Sequence, residues 1–186
     1  MPRTHWKPWV LQPLWYALSG WFLTLVFVYF ASGAGPSRNS LAYLTLLILL
    51  LAFVAQIVTI IVSVATYPTT TKFLRRLILL YVAMILGFAQ LYFIMLLFPL
   101  KSPFDGIHSP WVWISDYQGR RLYLGDAALA IVDCIHFSCV TITTVGYGDM
   151  RPVHWFAKLA VDTEILLGLS LAVIGVGRYF SNRQGP

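Results

Sequence analysis

Apolar residues fill four stretches of the chain, 14–31, 41–65, 77–98 and 155–180, and polar or helix-breaking residues separate them. At about 1.5 Å per residue, each stretch is close to or beyond the length a helix needs to cross the ~30 Å hydrocarbon core of a bilayer. Pro2, Pro8 and Pro13, with Trp6 and Trp9, precede the first stretch and suit a membrane interface. That stretch is longer than the apolar core of a usual signal peptide, so it reads as a span. The run Ser-Gly-Ala-Gly-Pro-Ser-Arg-Asn-Ser at 32–40 predicts a turn. Tyr-Pro-Thr-Thr-Thr-Lys at 67–72 ends the second span, and Pro99 and Pro103 close the third. Between the third and fourth spans lie a polar stretch at 99–130, a short amphipathic run, and a glycine-bearing segment at 143–149. Asp133 reads as the N-cap of a short helix over 133–143, with the apolar run 127–132 available to extend it. A helix over 133–143 crosses only part of a bilayer. The expected fold is an all-α membrane protein with four transmembrane helices and one re-entrant helix.

Composition agrees with that expectation. Of 186 residues, 59% are hydrophobic and 11% charged, too apolar for a soluble domain of this size. The formal charge of +6 would point to nucleic acid in a soluble protein. Here the basic residues flank apolar spans, which assigns them to orientation and excludes a nucleic-acid partner. Placing both termini and the 67–72 loop in the cytoplasm puts Arg3, Lys7, Lys72, Arg75, Arg76, Arg178 and Arg183 inside, seven of the thirteen basic residues. All seven acids then fall in the outward portion. The localisation expected is a multi-pass protein of the cell membrane with cytoplasmic N- and C-termini. Cys134 and Cys139 are five apart in one predicted helix, a spacing unsuited to a disulfide within the chain, and read as packing residues.

The segment Thr143-Thr144-Val145-Gly146-Tyr147-Gly148-Asp149 changes the picture most. A filter that strips water from a cation needs rings of carbonyl oxygens. Backbone carbonyls face one way only when alternate residues take unusual dihedrals, which requires recurring glycines. Gly146 and Gly148 recur in that way, and the Thr144 hydroxyl can add a further ring. Residues 133–149 resemble the pore helix and selectivity filter of tetrameric potassium channels, the bacterial class with a Thr-Val-Gly-Tyr-Gly-Asp filter. The resemblance runs from about residue 75 to 181. It implies that carbonyls of Thr144, Val145, Gly146 and Tyr147, with Gly148 in the same strand, hold permeant potassium ions, and that no other cofactor is needed. One filter per chain cannot close a ring, so the partner expected is three further copies in a homotetramer within the lipid bilayer. The resemblance also makes the last two spans the pore and the last of them its inner helix. The domains expected are a cytoplasmic segment at 1–13, a transmembrane hairpin at 14–72, a pore domain at 73–181 and a tail at 182–186.

Several further residues gain roles from the resemblance. Gly168 lies nineteen residues past Asp149, where such inner helices carry a hinge glycine, and Gly175 and Gly177 offer a second flexible point. Leu169, Ala172 and Val176 share a helix face and would line an apolar cavity, motivating a gate that closes by dewetting. Thr143 and Asp149 flank the filter and support it. Glu164 stands at mid-membrane, where a lone carboxylate costs about 2.5–3.5 kcal/mol or more. Similar bacterial channels often carry a glutamate four residues before the glycine, as here. Glu164 is expected to brace the pore helix from behind, with Gln90 at comparable depth as a partner. Two positions depart from familiar patterns: Val140 stands where some relatives have a glutamate bonded to the filter aspartate, and His136 where a tryptophan is common. His136 could donate to Asp149 instead.

Neither of the first two spans carries arginines at three-residue spacing, so no voltage sensor is expected. They form a peripheral hairpin that packs on the pore or meets a regulatory partner. The function expected is passive, potassium-selective flow across the cytoplasmic membrane, without a voltage sensor. The alternatives are a less selective cation channel, or a non-conducting accessory membrane subunit. An enzyme using Asp162 and Glu164 is a remote option, because the two lie on nearly opposite helix faces without a base or metal cluster.

Overall fold

The computed structural model describes residues 12–32, 39–66, 73–97, 102–114, 119–122 and 124–181. The expected segments at 1–11 and 182–186, and the turns at 33–38 and 67–72, lie outside them. The elements in order are α1 (Gln12–Ser32), α2 (Asn39–Thr66), α3 (Phe73–Leu97), β1 (Phe104–Asp105), β2 (Trp111–Ile114), β3 (Gly119–Leu122), α4 (Leu124–Ile142), β4 (Arg151–Pro152) and α5 (Trp155–Ser181). Four helices coincide with the four apolar runs. Each is free of internal proline after its first turn.

Among the described residues, three helices are long and apolar enough to cross a membrane: Arg75–Leu97, Gly125–Ile142 and Trp155–Arg178. Leu47–Ser63 is a shorter apolar stretch within α2. The fourth helix differs from expectation. α4 starts at Leu124, nine residues before the N-cap expected at Asp133, and its 19 residues give it span length. Asp126 occupies its first turn, where a carboxylate complements the helix dipole. Asp133 therefore lies inside the helix, and its carboxylate serves another segment, described below.

α3 is the centre of the assembly. The fully buried side chains of Met84, Phe88, Tyr92 and Phe93 on this helix form much of the core. α1 and α2 dock on it with polar side chains aimed at its backbone. Trp21 Nε1 donates to the Leu86 carbonyl at 2.9 Å, and Gln56 Nε2 donates to the Ala83 carbonyl at 2.5 Å. Gly87 makes the second contact feasible: a Cβ there would collide with the Gln56 amide. Gln90 of α3 fills the matching space over Gly20 of α1 and donates to Thr24 Oγ1 at 3.4 Å. Phe53 of α2 meets Phe88 edge-on, with centroids 5.3 Å apart. The hairpin thus packs on α3 of its own chain.

Two small antiparallel pairings complete the fold. β2 pairs with β3 as a local hairpin. β1 pairs with β4 in the register Phe104 opposite Pro152 and Asp105 opposite Arg151, which joins chain segments on either side of α4.

The Gln56–Gly87 contact yields a first expectation. Gly87→Val displaces the buried amide from its acceptor and should lower stability by about 1–3 kcal/mol. Thermal unfolding in detergent, followed by tryptophan fluorescence, reads the change, and an unaltered melting temperature would contradict this docking mode.

Candidate functional site

The 143–149 segment leaves the end of α4 and is tied to it through the helix's last carbonyls. Helix C-termini have carbonyls without intrahelical partners, and here the following residues supply donors. Thr143 N–H bonds Cys139 O at 3.3 Å, and Thr144 N–H bonds Thr141 O at 2.9 Å. Val145 N–H and Gly146 N–H both reach Val140 O, at 3.0 and 3.3 Å. The Thr143 hydroxyl caps Cys139 O at 2.7 Å. Val140 therefore supports the segment through its carbonyl and has no need of a polar side chain for that role.

Backbone dihedrals then alternate. Thr144, Gly146 and Gly148 have positive φ, at 58°, 50° and 83°, while Val145 and Tyr147 between them do not. Alternating hands of φ are what a backbone needs if successive peptide carbonyls are to turn toward one side. Glycine adopts the left-handed region freely at 146 and 148. At Thr144, a β-branched residue, that region costs about 1–2 kcal/mol, and strain of this kind collects at functional sites. The bonds to Thr141 and Val140 on either side of Thr144 hold it there. Residues 143–149 are all exposed in the single chain, and no atom stands within 4 Å of a Cβ built on Gly146 or Gly148.

The ring of His136 lies parallel to that of Tyr147, with centroids 6.1 Å apart and an interplanar angle of 1°. This corrects the expectation that His136 donates to Asp149. Asp149 Oδ1 instead accepts from Met150 N–H at 3.0 Å. Both residues face away from the α4 core, so the imidazole meets the neighbouring aromatic ring.

A strap from 102 to 110 holds the far end of the segment. Pro103 O accepts from Val153 N–H at 2.9 Å and His154 N–H at 3.3 Å. Gly106, with φ of 83°, packs so closely on the Asp149 carbonyl that no Cβ fits. The Arg151–Asp105 ion pair at 2.8 Å is exposed on both sides and adds at most about 1 kcal/mol. The strap is anchored to α4 by Asp133, whose Oδ2 accepts His108 N–H at 2.9 Å and lies 2.6 Å from His108 Nδ1.

Behind the segment sits Glu164 of α5, with 0% exposure. Tyr92 of α3 donates to its Oε2 at 2.5 Å, and Ser138 of α4 lies 2.5 Å from its Oε1. The Ser138 hydroxyl, with one proton to give, also faces the Ile85 carbonyl at 3.0 Å. A proton on Glu164 would let Ser138 serve both, accepting from one and donating to the other. Glu164 thus fastens α3, α4 and α5 at one point, as a brace behind α4 requires. Its partner is not Gln90, which the structure commits to Thr24 on α1. Tyr92, Phe104 and Phe137 surround this node, with centroids 5.2–5.6 Å apart. Sequence reading missed Tyr92 and Ser138. Their only signal was a hydroxyl at the depth of a buried acid.

The remaining expected residues lie along α5. Gly168 is buried, and the Ile142 side chain occupies the space where its Cβ would be. Gly175 is filled over in the same way by Leu77, while Gly177 is open. Leu169 and Val176 are exposed on one stripe with Val173, which at 71% is more exposed than either, and Ala172 beside them is half-buried. Asp162 is exposed and Glu164 buried, so the two share no site. Cys134 and Cys139 are free. Among the described residues, no group of three or more metal-binding side chains occurs.

Residues 111–182, from β2 through α4 and the 143–149 segment to the end of α5, match a family model described as an ion channel. No curated protein and no solved structure matches the chain. The family match and the apolar helices support an ion channel in a membrane, a transport-type protein.

The Glu164 node is open to direct test. Ser138→Ala and Tyr92→Phe each remove a partner of a buried group and should lower stability by about 1–3 kcal/mol. Glu164→Gln keeps an acceptor for Tyr92 and a donor for Ser138, so it should cost less than either. Thermal melting in detergent measures all three, and equal losses for Glu164→Gln and Glu164→Ala would remove the brace.

Proposed function

We propose that the chain is the subunit of a potassium-selective channel carrying passive flow across the cytoplasmic membrane. The observation that carries this reading is the alternation of positive φ at Thr144, Gly146 and Gly148 within Thr-Val-Gly-Tyr-Gly-Asp. A row of carbonyls replaces a hydration shell only when other rows face it. The open side of the 143–149 segment and the exposed stripe on α5 support a homotetramer around a fourfold axis. In that assembly, carbonyls of Thr144, Val145, Gly146 and Tyr147 and the Thr144 hydroxyl coordinate potassium, and close multiple sites let ions displace one another. α4 is the pore helix, and its C-terminal end directs partial negative charge toward the ion path. α5 is the inner helix, with Leu169, Ala172 and Val176 toward the cavity. The 1–13, 14–72, 73–181 and 182–186 division follows, with both termini cytoplasmic. α1 and α2 lack every charged side chain, which supports gating without a voltage sensor.

A second reading, a less selective cation channel, is favoured by one observation. Asp149 has no side-chain partner from α4, since position 140 is Val and His136 lies against Tyr147. A filter held by backbone bonds and the strap alone could relax and admit sodium.

Flux into potassium-loaded liposomes, followed by reversal potentials under opposed potassium and sodium gradients, separates the readings. The expected reversal lies near the potassium equilibrium potential, and a value midway between the two supports the second. Absence of any flux points to an accessory subunit. Gly146→Ala, which puts a Cβ at φ of 50°, should abolish potassium selectivity or current altogether while the protein still assembles.

A further inference from the structure

α3 and α5 meet at three levels. Tyr92 reaches Glu164, the Tyr81 hydroxyl donates to the Gly168 carbonyl at 3.0 Å, and the Leu77 methyls cover Gly175. At the two levels farther from the 143–149 segment, the α5 residue is a glycine. Leu77 and Tyr81 stand one turn apart on α3, so they press on α5 from one face. On another side of Gly168, the Ile142 side chain fills the missing Cβ position. Gly168 is therefore enclosed by a phenol on its carbonyl and an aliphatic chain on its α-carbon.

α5 is continuous from Trp155 to Ser181, so the Gly168 carbonyl also accepts the amide of residue 172 within the helix. A carbonyl oxygen has two lone pairs and can hold both donors. The second donor matters most when the first is lost. A bend at Gly168 would open the intrahelical bond and strand a carbonyl in hydrocarbon, where no water can replace the lost partner. Bends in membrane helices occur where a neighbouring group satisfies the freed carbonyl. Glycine is also the residue that gives up helical geometry most readily.

We propose that Tyr81 is the reserve donor that allows α5 to bend at Gly168, and so sets the balance between conducting and non-conducting states. The proposal rests on the channel reading above. It makes Tyr81 a positioning residue, remote from the ion path, acting through one backbone oxygen. Removing its hydroxyl costs the straight helix one of the two bonds on that carbonyl and leaves the intrahelical bond in place. In the bent helix it leaves the carbonyl with no donor, so the bent helix is penalised more.

Single-channel recording of the full chain in planar bilayers tests this. Tyr81→Phe should keep the unitary conductance and reversal potential of the unsubstituted protein. Its opening–closing equilibrium should shift by about two- to twelvefold, the range of one hydrogen bond's net contribution. Replacing Tyr81 with 3-fluorotyrosine, a stronger donor of nearly the same size, should shift the equilibrium in the opposite direction. That arm also serves if Tyr81→Phe fails to assemble. An equilibrium unchanged in both variants, or moved the same way by both, overturns the proposal. So does a Tyr81→Phe channel with altered conductance or selectivity, which would mark a packing role, or an unsubstituted channel that never changes state. No current from the unsubstituted protein would instead strike the channel reading itself.

Discussion

Hydrocarbon offers little hydrophobic incentive for one apolar helix to leave lipid and join another, so a bundle of such helices needs other fasteners. In this chain the fasteners are side-chain donors aimed at helix backbones and buried acceptors. One turn of α3 receives three of them: Gln56 from α2 on Ala83 O, Ser138 from α4 on Ile85 O, and Trp21 from α1 on Leu86 O. α3 in turn sends Tyr81 and Tyr92 to α5. Each contact satisfies a buried polar group whose isolation would cost more than the bond itself contributes. Glycine recurs at these crossings because a neighbouring side chain can lie directly on a helix backbone only where no Cβ intervenes, as with Gln90 on Gly20, Gln56 on Gly87, Ile142 on Gly168 and Leu77 on Gly175.

In the channel reading the same constraint bears on the 143–149 segment. Non-helical backbone at membrane depth survives only when protein surrounds it or it lines a wet cavity. Its amides at 143–146 are consumed by the last carbonyls of α4, and its far end is stitched to the strap at Pro103 and Gly106. The carbonyls between those two anchors are left for other uses. The strained Thr144 sits where the anchoring bonds are densest, which is how a left-handed β-branched residue is maintained. Glu164, Tyr92 and Ser138 then hold α4 at a fixed distance from α3 and α5, so the anchors do not drift.

Much of this was legible in the residues. Apolar runs and the prolines between them marked α1, α2, α3 and α5, and the glycine spacing marked the segment. The mid-span position of Glu164 announced that it needed partners. What the sequence concealed were the choices among equally placed partners. Gln90 and Tyr92 lie two residues apart, but helix rotation turns the first toward α1 and the second toward α5. Asp133 resembles a cap, yet its Oδ2 belongs to His108, twenty-five residues earlier, and α4 starts without it. His136 could have met a carboxylate or a ring, and the path of the segment decided for the ring. No local signal predicts positive φ at a threonine, since the surrounding bonds impose it.

The strap has a bearing on biogenesis. Phe104 and Asp105 pair with Pro152 and Arg151, so this stitch cannot form until the ribosome has delivered residues on both sides of α4. By then α3 and α4 have already been synthesised and α5 is still emerging. The far end of the segment is consequently fastened only after α3 and α4 have been made, and a nascent chain halted before β4 would hold the segment by one end only.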